Sequence, residues 1–376
     1  MPANKPPFDG EWVRLNQLCM KGRSALRQKD LIDDGPYAVY GASGIIGSMF
    51  TFQNGARYVA VVKDGAGVGR ANLCSARTSV LGTMQALIPT EMVLPEYLLH
   101  LIRAMRLGDG FSGSTIPHIY FKDYGQRLVR YVSMADQERI VGMLGSIEDQ
   151  IDILHQQNER FDTLVKSRFV EMFRDPVSNE MGWPASTIKE TAIIYGDGPF
   201  GSNLKSSDYV DEGVRVIRLG NIQQGYFSEK DQSFVSYEKY EQLNRYKCSP
   251  GEIVIATLGS PILRACLVPD SCDPSIHKAD CMYYEVDRDR LVPTFAMCVI
   301  NHPSMLRRAA ADVHGQTRGR INSTQTGALP MILPPLALQQ EFASFVAEVD
   351  KSRYIVQQKI EKLQTLYDSL AQEYFG

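Results

Sequence analysis

The stretch QERIVGMLGSIEDQIDILHQQNERFDTLVKSRFVEMF, residues 137–173, returns 202 positions later as QQEFASFVAEVDKSRYIVQQKIEKLQTLYDSLAQEYF, residues 339–375. The alignment runs without a gap from Gly113 against Gly315 to Phe173 against Phe375. It pairs Thr115 with Thr317, Gln137 with Gln339, Glu159 with Glu361, Leu164 with Leu366 and Glu171 with Glu373. A repeat of this length governs the fold, because each copy is one structural unit.

Within the first copy, apolar residues alternate in steps of four and three: Ile140, Leu144, Ile147, Ile151, Leu154, then Phe161, Val165 and Met172. The second copy places Phe342, Val346, Val349, Val356, Ile360, Leu363, Tyr367, Leu370 and Tyr374 in the same slots. That spacing draws one apolar stripe along a helix, the heptad seam of a coiled coil. Neither run contains Pro, and charged residues fill the other faces. Each helix is about 55 Å long at the α-helical rise. A stripe of that length needs a partner, and the other copy is the natural one. Asn158 and Arg168 in the first helix and Arg353 in the second interrupt the seam. If the helices run antiparallel, Asn158 and Arg353 meet near the middle, where a polar contact fixes register.

The chain has 376 residues, is 44% hydrophobic and carries a formal charge of −3. Its length predicts two or three domains. No run of 18 apolar residues occurs, and residues 1–14 are polar where a secretory signal needs an apolar centre, so a cytoplasmic protein without membrane spans is expected. Seven Cys without a Cys-x-x-Cys pair give neither a disulfide framework nor a zinc module. Cys266, Cys272, His277 and Cys281 are too irregularly spaced for a metal site and read as strand and loop positions.

Charge is unevenly distributed. Residues 1–136 hold 15 Lys and Arg against 11 Asp and Glu, whereas residues 183–320 hold 16 against 17, and both helices are acidic. A chain of this balance cannot grip a phosphate backbone strongly alone and needs a basic partner to do so.

Trp12 and Trp183 each stand near the start of a half, which extends the duplication beyond the helices. The segmentation is 1–136, a first globular domain; 137–175, a first helix; 176–338, a second globular domain; and 339–376, a second helix. In the first half, Tyr37–Tyr40, Tyr58–Val62 and Ser79–Leu87 read as strands, and a short helix starts at Leu94-Pro95. In the second half, Val214–Leu219, Glu252–Ala256, Ala265–Val268 and Met282–Val286 read as strands, with Val292-Pro293 opening the matching helix. The fold class is therefore α+β, two mixed domains each followed by a long helix. The Gly-rich run Asp64–Gly69 lacks both nucleotide fingerprints and reads as a hairpin turn. No metalloprotease, nucleophile-elbow, amino-methylating or helicase motif occurs, so a non-catalytic role is expected.

The joins between domain and helix are richer. The first reads FSGSTIPHIYFK, residues 111–122, and the second VHGQTRGRINST, residues 313–324. Small hydroxyl residues, glycines and donor side chains recur at the same place in both halves, which suits contacts to backbone and base edges.

These joins, the lead-in YVSMADQERI at 131–140, its counterpart LPPLALQQ at 333–340 and the ending QTLYDSLAQEYFG resemble the specificity subunits of type I restriction-modification systems. The resemblance covers nearly the full chain and departs at Arg130-Tyr131-Val132-Ser133, where the first join lacks the Pro pair found at Pro334-Pro335. It implies two target recognition domains, each reading half of a split asymmetric DNA site, with the helix pair as a ruler spanning at most roughly 16 base pairs. It also implies methylase subunits, two of them, docked on the helices, with nuclease/translocase subunits joining that complex. S-adenosylmethionine, ATP and magnesium would then belong to the partners, and this chain would hold no cofactor. By position in the matching loops, the DNA contacts are Ser114, Thr115, His118 and Lys122 in the first domain and Thr317, Arg318, Arg320 and Asn322 in the second. Lys63, Arg70, Lys205, Arg218 and Asn221 are further candidates. Three alternatives remain open: a coiled-coil adaptor that never reads DNA, an enzyme with an unrecognised site, and a methylation system without a nuclease.

Overall fold

A computed structural model describes residues 8–110, 117–311 and 319–376. The chain forms two compact units, Met1–Gln157 with Val356–Gly376, and Asn158–Ile355. Both contain antiparallel sheets and parts of two long helices, giving the α+β class expected from the sequence.

In the first unit a four-stranded antiparallel sheet is ordered Cys19–Lys21, Met84–Pro89, Tyr58–Val62 and Ala71–Cys74. Every residue of Tyr58–Val62 is buried, because the strand is covered on both faces. Val59 and Val61 pack with Tyr97, Leu98 and Leu101 of helix α1, Pro95–Ala104. Tyr58, Ala60 and Val62 pack on the opposite side with Val80 and Met84. The Gly-rich run joins Tyr58–Val62 to Ala71–Cys74 as a hairpin. Within it Gly69 adopts φ +86°, and a Cβ there would lie 2.3 Å from the backbone nitrogen of Gly108. The continuous strand expected over Ser79–Leu87 is two strands instead. Ser79–Val80 pairs with Tyr37–Gly41 in a second sheet, and the chain then turns so that Met84–Pro89 joins the first.

The second unit repeats the plan. Its antiparallel sheet is ordered Ala192–Asp197, Cys281–Val286, Ile253–Ala256 and Arg264–Leu267. Ile253 and Ile255 face Phe295, Ala296 and Val299 of helix α3, Pro293–Ile300, whereas Val254 and Ala256 face Cys248, Cys266, Cys272 and Cys281. Pro opens both short helices at their first position, where its missing N–H costs nothing.

The long helices are α2, Met134–Phe173, and α4, Leu336–Phe375, each starting three residues before the expected Gln. The departure at the first join has a local cause. Ser133 Oγ accepts the N–H of Asp136 at 3.2 Å and donates to its carboxylate at 2.8 Å, a hydroxyl cap where the second join has Pro335. The repeated glutamines explain themselves next. Gln137 is fully buried; its Oε1 accepts the Leu94 N–H at 2.9 Å, and its Nε2 donates to the carbonyls of Met92 and Val132 at 2.9 and 3.1 Å. Gln339 does the same with the Val292 N–H and the carbonyls of Arg290 and Pro334, at 2.9, 3.0 and 2.8 Å. Each side chain thereby ties a long helix to the start of a short one.

Inside the first unit, Ile140, Leu144 and Ile147 near the start of α2 share a core with Tyr367, Ala371, Tyr374 and Phe375 near the end of α4. Inside the second, Phe169 and Phe173 from the end of α2 pack with Phe342 and Val346 from the start of α4. Both arrangements are antiparallel. Ile151, Leu154, Asn158, Phe161, Arg353 and Leu363 are half-buried, and Val349, Val356 and Ile360 are buried. The repeated terminal Phe has a matching use in both places. Phe173 packs edge-on against Phe295 of α3 at 4.8 Å, and Phe375 against Tyr97 of α1 at 5.2 Å. Arg130 donates to the last carbonyls of α4, those of Glu373 and Tyr374, at 3.4 Å each, where a cation suits the helix dipole.

The expected contact between Asn158 and Arg353 does not form. Arg353 reaches past the seam to Asp162 at 2.9 Å, and Asn158 Oδ1 stays buried without a partner. A long cationic side chain can carry its charge to a carboxylate at the surface while its stem stays on apolar neighbours, here beside the ring of Phe161.

Replacing Gln137 or Gln339 with Ala strands one N–H and two carbonyls in a dry joint. Each variant should lose about 3 kcal/mol of stability, measured by urea unfolding, because an unpaired buried polar group costs its desolvation. A pH effect is expected from His100, a buried residue of α1 bonded to the Tyr367 hydroxyl at 2.8 Å. Burial first, then the charge of Arg103, pushes its pKa from 6.5 to about 4, against the pull of Glu96. The unfolded chain therefore binds a proton in a range where the folded one does not. This contribution is complete above pH 6.5 and fades as pH falls towards 4, costing about 2 kcal/mol by pH 5. His100→Gln should flatten that part of the stability curve between pH 7 and 5.

Candidate nucleic-acid interface

Of the residues that the joins single out, Ser114, Thr115, Thr317 and Arg318 lie outside the described residues. The remainder of each join is held against the end of its sheet in the same way. The N–H of Ile119 bonds the carbonyl of Lys63, and that of Ile321 the carbonyl of Thr257, both at 3.0 Å. Isolated antiparallel bridges follow, His118 with Asp64 and Arg320 with Leu258. Ile119 and Ile321 are buried pegs, so the residues before them are set at the sheet edge.

In the first unit His118 Nδ1 lies 2.7 Å from Asp64 Oδ1, and its ring stacks on Tyr120 with centroids 6.4 Å apart. Lys122 is exposed, with its ammonium over the other ring system of the group, Tyr120, at 5.4 Å. Lys63 is half-buried at the end of its strand. Arg70 is exposed and folds back on the carbonyl of Gly67 at 3.4 Å. His118 is thus held on Asp64, and Lys122 is linked to it through the Tyr120 ring.

In the second unit Arg320 forms an ion pair with Asp280 at 2.8 Å and lies over the ring of Phe200 at 5.5 Å. Asp280 Oδ1 is shielded from solvent and makes no aligned hydrogen bond, so the pairing is one of charge. Burial pushes the Asp197 carboxyl above its usual range, against the Ser323 hydrogen bond and the charge of Arg320; Asp280 adds to the rise. Asn322 caps the short helix Ser323–Gly327, with Oδ1 accepting the Gln325 N–H at 2.8 Å. Arg320 and Asn322 therefore share one corner with two carboxylates.

The weaker candidates of this unit have other partners. Lys205 is exposed, and its N–H bonds Asp208 at 2.6 Å in a helical turn. Arg218 pairs with Asp231 at 3.1 Å and with the Ser233 hydroxyl at 3.0 Å. Asn221 is fully buried. Its Oδ1 accepts the Arg218 N–H, and its Nδ2 donates to the carbonyls of Ser228 and Asp231 at 2.8 and 2.7 Å. Its whole amide is occupied in shaping that turn, leaving no group for a nucleic acid.

Asp64, Asp280, Tyr120 and Phe200 escape sequence reasoning because they lie outside the aligned loops or act through side chains of ordinary type. A signal exists only in hindsight of the fold, namely the repeated basic or ring-nitrogen residue directly before each buried Ile. Cys266, Cys272 and Cys281 belong to one buried core, where desolvation pushes the Cys266 thiol up to about 12. Among the described residues no group of three or more His, Cys, Asp or Glu is arranged to hold a metal ion. No described helix is long and apolar enough to cross a membrane.

No family model matches the chain. In sequence it is similar to two proteins of Methanocaldococcus jannaschii. The type I restriction enzyme MjaIX specificity subunit is 21% identical over 309 residues, covering 76% of this chain and 69% of that protein. The MjaVIII specificity subunit is 22% identical over 182 residues, or 44% of this chain and 42% of that protein, so the chain matches less than half of this second relative. In fold it is similar to the type I restriction-modification S subunit from M. genitalium, with a TM-score of 0.56 at 14% identity over 100% of this chain and 98% of that one. A chain from a structure addressing complex assembly and conformational transition of the type I R-M system gives 0.54 at 15% identity, covering 99% of both. The two sequence relatives are thus named as type I specificity subunits, and the fold is that of a type I S subunit, as the joins and helix lead-ins suggest.

Proposed function

We propose that this chain is the DNA-specificity subunit of a type I restriction-modification complex. Residues 1–136 and 176–338 are its two target recognition domains, and the helices 137–175 and 339–376 are the spacer that sets the distance between the half-sites. The observation that supports this best is the duplicated join. Two loops with donor side chains are pinned in the same way at the ends of two sheets, each ahead of a glutamine-tied long helix. One reader alone needs no duplicate, whereas a split site needs two readers held at a defined separation.

Binding, in this reading, is shared. The near-neutral second half and acidic helices cannot supply the phosphate neutralisation that tight DNA binding requires, so the methylase subunits contribute it. S-adenosylmethionine, ATP and magnesium serve the methylase and nuclease subunits, and the role of this chain is recognition. The helices offer two equivalent places for two methylase copies. Ile153 and Ile355, identical in the repeat, are 61% and 54% exposed, and Leu164 and Leu366 are 46% and 47% exposed, although the seam beside them is covered. Large apolar side chains left in water at matching positions of both copies fit a partner that binds twice.

The test is co-expression with the cognate methylase and sequencing of host DNA for methylated adenines. A new bipartite motif with a gap of constant length is expected; a stable complex that leaves no methylated motif would reject the proposal. Single variants Ile153→Asp and Ile355→Asp should each cost one methylase copy in the purified complex, and the double variant both, while circular dichroism stays unchanged.

A further inference from the structure

We infer that positions 118 and 320 are the specificity-determining positions of the two half-sites, and that Asp64 and Asp280 are positioning residues that hold the side chains there. The inference rests on the DNA reading above and adds to it a pair of residues and a chemistry.

Three observations carry it. Positions 118 and 320 are equivalent in the repeat, and their backbone is fastened identically, through the bond of the next residue to the end of the buried strand. The side chain at each differs, His in one and Arg in the other, yet each meets a carboxylate at 2.7 or 2.8 Å and an aromatic ring, Tyr120 or Phe200. The carboxylates come from non-equivalent places in the chain. Asp64 is the residue that bridges to His118, and its counterpart in the second unit is Leu258. Asp280 instead precedes the strand Cys281–Val286, and its carbonyl accepts the Thr257 N–H at 2.9 Å, as the Thr83 carbonyl accepts that of Lys63 at 3.0 Å. The position equivalent to Asp280 in the first unit is thus occupied by Thr83. An ion pair merely carried along by duplication would keep both partners in place. Here the scaffold is repeated, and the carboxylate has been supplied twice from different strands.

The physical use of such a brace is direct. A free Arg side chain has many rotamers, and a held one has already lost the freedom that binding would otherwise have to remove. With one guanidinium nitrogen on Asp280 and its face on Phe200, Arg320 retains 43% of its side-chain surface in solvent and can turn its fork to O6 and N7 of a guanine. Asp280 contributes by orientation, since a fork aimed at one plane reads one base pair. His118 keeps 35% exposure against Asp64 and takes the same place in the other half-site with a different donor pattern. The second half-site is accordingly expected to contain a G·C pair read by Arg320.

The experiment is mapping of methylated motifs in cells expressing the full chain with its cognate methylase, comparing wild type with Asp280→Asn, Arg320→Lys, Asp64→Asn and His118→Gln. Asp280→Asn and Arg320→Lys should relax discrimination about tenfold at one G·C position of a single half-site, leaving the other half-site and the gap unchanged. Asp64→Asn and His118→Gln should do so in the opposite half. A wild-type motif without G·C in the half-site that Arg320 governs, or an unaltered motif in all four variants, overturns the inference while the DNA reading stands. A wild type that methylates no bipartite motif overturns both. Should Asp280→Asn fail to assemble with the methylase, Arg320→Lys decides, because it keeps the charge and removes only the fork.

Discussion

Two buried amides, those of Gln137 and Gln339, carry the joint on which the remaining architecture depends. Each long helix must leave its globular part at a set angle, because its stripe has to meet the other helix along many turns. A single buried side chain with one acceptor and two donors, all used, fixes that angle more sharply than apolar packing, which tolerates sliding. The same three bonds occur at both joints, to the N–H that opens a short helix and to two nearby carbonyls. Around them the lead-ins are free to differ, with a serine cap at one and a proline at the other.

This explains how much of the fold was legible. The seam is visible from Ile140 to Met172 because its repetition turns what could be two ordinary core helices into a pair, and the strand Tyr58–Val62 is visible because both its faces need apolar cover. The starts of the helices were three residues off; at the first, capping by Ser133 depends on one hydroxyl that composition does not weigh. Ser79–Leu87 misled for a related reason: an apolar run says that residues are buried, not that they share one sheet. Arg353 was assigned to Asn158 by seam logic, but its length lets it choose a carboxylate, Asp162, one that no heptad slot predicts.

The site was legible in a different sense. The repeat located the joins, and within them the order of side chains pointed to His118, Lys122, Arg320 and Asn322. Geometry then separates them by what each side chain already does. Asn322 closes a helix turn through its side chain, and Asn221 is consumed inside a loop. Asp64 and Asp280 were invisible because a carboxylate partner is a matter of position in space: one lies in a Gly-rich turn and the other before a strand, with no spacing in common.

That contrast separates the repeated residues of the two joins from the varied ones. Gln137 with Gln339 and Phe173 with Phe375, which repeat as identical types, weld helix to domain, where a change of partner would alter the angle of the whole helix. The residues that differ, His118 and Arg320, stand directly before buried isoleucines that carry the mechanical load for them. Substitution at such a position changes the donors shown at the sheet edge and leaves the backbone bond of Ile119 or Ile321 intact. The backbone anchor and the varied side chain are thereby adjacent residues, and a side chain there needs only a carboxylate within reach to be held. The two halves hold these side chains by two routes, one carboxylate at the end of one strand and the other in the turn before another.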